Sequence, residues 1–139
     1  MIEFEVPGDA VGKARPRFDS RTRRTYTPHS TVLYEKKVRN CLYEKYGTKI
    51  EKATGGVIIH IYIDQKIPKS DNKKIRAEKL EGLIPCKHKP DVDNVAKIIM
   101  DSLNGILYED DSQVVELMIK RKWADEASVH VLATQEDRL

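Results

Sequence analysis

Residues 55–64 read GGVIIHIYID: two glycines, then a run that is β-branched and nearly all apolar. Such a run suits a strand buried on both faces, or nearly so, and therefore a central place in a sheet. The flanking sequence supplies its partners. In IEFEV (residues 2–6), Ile2, Phe4 and Val6 alternate with Glu3 and Glu5, the pattern of a half-buried strand. VVELMIKRKW (114–123) alternates again, with Val115, Leu117 and Ile119 against Glu116, Met118 and Lys120. ASVHVLAT (127–134) reads as a last strand, expected to pair with the preceding one across the short loop ADEA.

Two segments have helical spacing. Thr31 to Tyr46 repeats apolar residues at Tyr34, Val38, Cys41, Leu42 and Tyr46, and Gly47 is a stop signal. Val95 to Leu103 is closed by Asn104-Gly105, with Gly105 suited to a left-handed cap position. Residues 8–28, rich in Gly, Pro and Arg, read as a loop or loose hairpin. Residues 66–89 read as a basic insertion or flap, in which DNKKIRAEKLEGL (71–83) has the pattern of a short amphipathic helix. The order strand, helix, strand, helix, strand, strand predicts a single α+β domain over residues 1–139, with a mixed β-sheet and two main helices packed against it.

Composition narrows the class. A chain of 139 residues that is 40% hydrophobic and 34% charged suits one soluble globular domain. It contains no apolar run near the ~20 residues that span a bilayer, and MIEFEVPGDA lacks a signal-peptide pattern, so a cytoplasmic protein without membrane contact is expected. Cys41 and Cys86 are too few for a disulfide framework. Cys86 and His88 form a C-x-H pair with no second ligand pair at zinc spacing.

The net charge is only +3, but it is unevenly spread. Lys13 to Thr27 holds six cations and one anion. Lys66 to Lys89 holds eight cations and three anions, and Asp101 to Glu116 holds five anions and no cation. Basic segments attract polyanions, although charge runs are also common on solvated loops.

The acids gather around one helix. Asp91 and Asp93 are two residues apart, and in extended chain their side chains point the same way, with Cα atoms about 6–7 Å apart. Asp93 falls at the expected N-cap. A wheel puts Val95, Ile98, Ile99, Ser102 and Leu103 within about 140° of arc, the core face. Asp93, Lys97 and Asp101 share the opposite side. A lysine beside carboxylates can neutralise charge developing on a phosphate. Asp110 or Asp111 could return to the helix start as a further oxygen donor, a set that suits Mg²⁺ or Mn²⁺ over Zn²⁺. The same residues also admit a purely structural role: Asp93 as a cap, Asp93 and Lys97 as an i, i+4 pair, and the Asp-Asp dipeptide as turn residues.

KPDVDNVAKIIMDSLNGILYEDDSQVV (89–115) resembles the signature of the RusA-like Holliday junction resolvases. It contains D-x-D-N-x-x-K at Asp91 to Lys97, D-[AS]-L-N at Asp101 to Asn104, and D-D-x-Q-V at Asp110 to Val114. GKARPRF and TYTPHSTVLYEKKV resemble the family's opening more loosely. The resemblance implies a metal-dependent endodeoxyribonuclease, often carried by prophages, that acts as a homodimer on four-way DNA junctions in recombination and repair. It implies Asp91, Asp93 and Asp111 as Mg²⁺ ligands, Asp110 as second choice to Asp111, and Lys97 as a further catalytic residue. Mn²⁺ is expected to substitute. Lys13, Arg15, Arg17, Arg23, Arg24 and Lys89 are the candidate DNA contacts. The chain departs from the pattern in its long basic stretch before Asp91 and in KHKP where the family has a run of arginines. Two other readings stand beside this one: a nuclease for forks or flaps, and a DNA-binding module without chemistry.

Overall fold

The fold is that of a computed structural model, which describes residues 1–136. Its elements are β1 (Ile2–Pro7), β2 (Arg17–Asp19), β3 (Arg24–Tyr26), α1 (His29–Tyr46), β4 (Val57–Lys66), α2 (Lys73–Leu80), α3 (Val92–Leu103), β5 (Val114–Ala124) and β6 (Ser128–Gln135). A single 3₁₀ turn at Asp111–Gln113 leads into β5. Four strands form one mixed sheet in the order β1-β6-β4-β5, and β2 and β3 form a separate hairpin. The chain is a single α+β domain, with a third, shorter helix inside the basic stretch.

β4 is central, as its composition requires. Val57, Ile59, Ile61 and Ile63 are buried in the core, whereas Ile58, His60, Tyr62 and Asp64 on the other face are half-buried. Burial on both faces was expected; α1 and α3 cover one side only. The uncovered side carries ion pairs instead, among them His60–Glu116 at 3.0 Å and His130–Asp64 at 3.8 Å.

β5 and β6 do not pair with each other. β5 runs parallel to β4, and β6 runs antiparallel to both β4 and β1. The three residues between β5 and β6 step over the end of β4, two strand spacings or about 9–10 Å. The reason lies in composition. An apolar strand needs a partner on each edge, whereas β5, with Lys120 and Lys122 among its exposed residues, tolerates a sheet edge.

α1 buries Thr31, Tyr34, Val38 and Leu42, a stripe at helical spacing. α3 buries Val95, Ile98, Ile99, Ser102 and Leu103, the face given by the wheel, together with Ala96. Asn104 ends α3, and Gly105 follows at φ +76°, a conformation that glycine adopts without steric cost. The chain then doubles back. Fully buried Tyr108 donates its hydroxyl hydrogen bond to Met100 O at 2.7 Å.

The basic stretch is tied down. Ile67 is fully buried, Arg76 pairs with Asp125 at 2.8 Å, and Lys79 pairs with Asp71 at 2.6 Å while lying 4.1 Å above the Trp123 ring. Truncating the middle of β4 should be severe: Ile61→Ala is expected to cost about 2–5 kcal/mol of unfolding free energy, read from a chemical-denaturation midpoint.

Candidate active site

The acidic centre is assembled from α3 and the loops at its two ends. Asp91, not Asp93, is the N-cap residue: its backbone is extended and its carbonyl accepts from Val95 N at 3.1 Å. Asp93 lies two residues further on, in the first turn. The expected register was late because Val92 and Asp93 already have helical geometry behind Pro90. The Asp91 carboxylate does not cap its own helix. It accepts from Lys89 Nζ at 2.8 Å, and that hydrogen bond, with the charge of Asp91, holds the lysine above its ordinary pKa.

Asp93, Lys97 and Asp101 line one side of a cavity of about 250 Å³, with Asp111 and Leu117 also on its wall. Lys97 has no carboxylate within 4 Å among the described residues, so the Asp93–Lys97 pair that the spacing allows is not formed. Asp91 opens instead into an adjoining cavity of about 620 Å³, which it shares with Asp93, His88, Lys89 and Arg121. His88 and Lys89 also line a third cavity with Lys66 and Lys69, so lysines flank the acidic centre on its open side.

Asp110 and Asp111 have different surroundings. Asp110 caps the 3₁₀ turn, its side chain accepting from Ser112 N at 3.1 Å. The hydrogen bonds from Ser112 hold its carboxyl below the usual range. Asp111 makes no such cap and faces the cavity. It lies level with the later turns of α3, where its charge, after burial itself, helps to push the Tyr108 phenol above its ordinary pKa. The donor set consists of carboxylate oxygens, which suits a hard divalent cation. Among the described residues, no three His, Cys, Asp or Glu side chains converge closely enough to hold one.

Two further residues shape the site, and sequence reading had missed them. Gln113 uses its amide fully: Oε1 accepts from Glu109 N at 2.9 Å and Asp110 N at 3.2 Å, while Nε2 donates to Ala53 O at 2.9 Å and Gly55 O at 3.0 Å. It fastens the Asp-Asp loop to the segment before β4. Arg121 donates to His88 O at 2.6 Å and also to Pro90 O, gripping the chain just before Asp91. Its signal was a cation at a position where the alternation of β5 calls for an inward residue.

Of the candidate DNA contacts, Lys13 is drawn inward. It pairs with Glu35 at 3.3 Å and Asp101 at 3.1 Å, and these carboxylates outweigh its partial burial to raise its pKa. Its amide donates to Asn94 O at 3.0 Å. Beside it, a Cβ on Gly12 would lie 2.7 Å from Pro90 Cβ, so only glycine fits this approach to the start of α3. Arg15, Arg17, Arg23, Arg24 and Lys89 are exposed.

Fold and site define a class: a small α+β domain whose carboxylate centre is set among exposed cations, the layout of a protein that handles a nucleic-acid backbone. Comparison makes this specific. Residues 7–132 match the family described as Endodeoxyribonuclease RusA. The chain is also 34% identical over 135 residues to the "Uncharacterized protein YqaN" of Bacillus subtilis (strain 168), covering 94% of each chain. The chain therefore belongs to the RusA endodeoxyribonuclease family. No helix is long and apolar enough to cross a membrane among the described residues.

Losing the four hydrogen bonds of Gln113 should loosen this end of the domain. Gln113→Ala is expected to lower unfolding free energy by about 1–3 kcal/mol, with faster amide exchange at Glu109 and Asp110.

Proposed function

We propose that this protein is a Mg²⁺-dependent endodeoxyribonuclease that resolves Holliday junctions by paired phosphodiester hydrolysis, in cytoplasmic recombination and repair of bacterial or prophage DNA. The observation that carries this reading is the disposition of Asp93 and Lys97. They stand one turn apart on the uncovered side of α3, not paired with each other, in a cavity that Asp111 also lines.

Asp91, Asp93 and Asp111, whose carboxylates do not converge in the structure, are read as the residues that would draw together on Mg²⁺, or on Mn²⁺ in its place. Held by these residues, such a cation would supply an activated water and offset charge on the phosphate. Lys97, free of a carboxylate partner among the described residues, is left to orient a phosphate oxygen and balance its charge. Asp110 is read as structural, because its carboxylate already caps the 3₁₀ turn. The N-terminus of α3 adds a mild positive dipole beside Asp93.

Lys89, Arg15, Arg17, Arg23 and Arg24 hold the DNA backbone, and Lys66 and Lys69 extend that track. Residues 66–89 are read as a basic insertion that carries part of this track. A four-way junction has two strands to cut, and a two-fold homodimer presents two sites to match.

The test uses a labelled four-way junction with Mg²⁺, alongside fork, flap and linear duplex substrates. Paired nicks confined to the junction are expected; equal cutting of forks or flaps would move the substrate assignment. Asp93→Asn, Asp111→Asn and Lys97→Ala should each lower cleavage by about 100-fold or more while junction binding persists. Asp110→Asn should retain most of it. An Asp93→Asn protein that cuts at the wild-type rate would remove the metal-site assignment, and a wild-type protein that binds the junction without Mg²⁺-dependent cleavage would remove the nuclease assignment.

A further inference from the structure

The hairpin formed by β2 and β3 packs chiefly on itself and stands away from the core. All but one of residues 15–27 are exposed. Within it Phe18 is 63% exposed and Tyr26 is 49% exposed. An aromatic ring left in water gives up the apolar burial that a core position would bring. Both rings sit among Arg15, Arg17, Arg21, Arg23 and Arg24.

The arm is shaped in advance. Asp19 accepts from Arg21 N at 2.9 Å through its side chain and from Arg23 N at 2.7 Å through its carbonyl. Arg23 takes φ +56° to close the turn. Pairing in register puts Arg17 opposite Tyr26 and Asp19 opposite Arg24, with Phe18 opposite Thr25 between them. Opposite residues share a face and alternate along the strand. One face of the hairpin therefore carries Arg17 and Arg24 together with Tyr26 and Asp19, and the other presents Phe18 with Thr25.

Its root is fixed beside the acidic centre. Lys13 N is bonded to Asn94 O, next to Asp93, and Phe18 lies five residues further on. Five residues of extended chain reach at most about 17 Å. That distance is about five nucleotide steps along a DNA strand. Stacking on an aromatic side chain requires a base whose face is already open. Such bases occur at branch points and in single strands, where the unstacking cost is least.

We propose that this hairpin is a base-binding wedge: Phe18 stacks on an unstacked base at the branch point of the DNA, while Arg17 and Arg24 on the opposite face hold the flanking phosphates. The proposal rests on the nuclease reading only for the identity of the substrate, since the wedge acts in binding. It supplies selection for branched DNA, which the acidic centre cannot provide because every phosphodiester presents it with the same groups.

The test is equilibrium binding by Asp93→Asn protein in EDTA to a four-way junction, a gapped duplex with unpaired bases, and a linear duplex. Phe18→Ala in that background should weaken junction binding about 5- to 150-fold, the factor carried by one stacked base, and leave linear-duplex binding within about twofold. Permanganate oxidation of branch-point thymines, enhanced by the parent protein, should fall to the free-junction level. Phe18→Trp should restore both. Arg17→Gln with Arg24→Gln should weaken all three DNAs alike. Equal loss on junction and linear duplex with Phe18→Ala, or unchanged junction binding, would overturn the wedge. Loss on the gapped duplex but not the junction would overturn the branch-point assignment. If Asp93→Asn still cuts DNA in Mg²⁺, the catalytic assignment falls alone, because the binding measurements need no cleavage.

Discussion

The architecture depends on the parallel pairing of β4 with β5. Parallel neighbours cannot be joined by a tight turn; the chain must leave the sheet, cross one face and return to its starting end. Here that crossover contains the basic stretch, α2, α3 and every carboxylate of the acidic centre. The site is thus built on the connection that the sheet topology demands. β5 holds both ends of it. Gln113, at its entrance, fastens the Asp-Asp loop to the segment before β4, and Arg121, near its exit, grips the backbone before Asp91. One strand therefore sets the separation between the acids at the two ends of α3.

The electrostatics follow the same division. Carboxylates that serve structure are already occupied: Asp110 caps the 3₁₀ turn, and Asp101 shares Lys13 with Glu35 between α1 and α3. Those that line the cavity without such engagement are Asp93 and Asp111. Asp91 is intermediate, since its partner Lys89 is exposed, and an exposed ion pair contributes little to stability. It can exchange that partner for another cation at low cost. Sorting the acids by what already holds them separates engaged from unengaged carboxylates more sharply than their positions along the chain do.

Much of this was legible in the sequence, and the gaps have physical causes. The core face of α3, the glycine after it and the central place of β4 follow from periodicity and composition, which act locally. The wrong pairing of β5 with β6 came from treating a short loop as a hairpin. Loop length permits a hairpin but does not require one, and here the demand of β4 for two partners prevailed. The N-cap register slipped by two residues because Asp91 and Asp93 are equally good capping types, and only the backbone distinguishes them. Gln113 stands inside the D-D-x-Q-V motif, yet two of its four hydrogen bonds reach residues more than fifty positions away, a relation that no local pattern encodes.

The exposed aromatics turn the same reasoning outward. A small domain has little apolar surface to spare, and this one places Tyr34 and Tyr108 in its core with their rings fully used. Phe18 is left out, on a hairpin whose turn is nevertheless fixed by Asp19 and by a strained Arg23. Holding a non-glycine residue at positive φ costs free energy, and a loop whose only task were to connect β1 with α1 would gain nothing from it. Order without burial points to a surface whose partner is another molecule. With Arg17 and Arg24 on one face of the hairpin and Phe18 on the other, the proposed wedge calls for a partner that offers phosphates and open base faces together, and an intact duplex offers only the first.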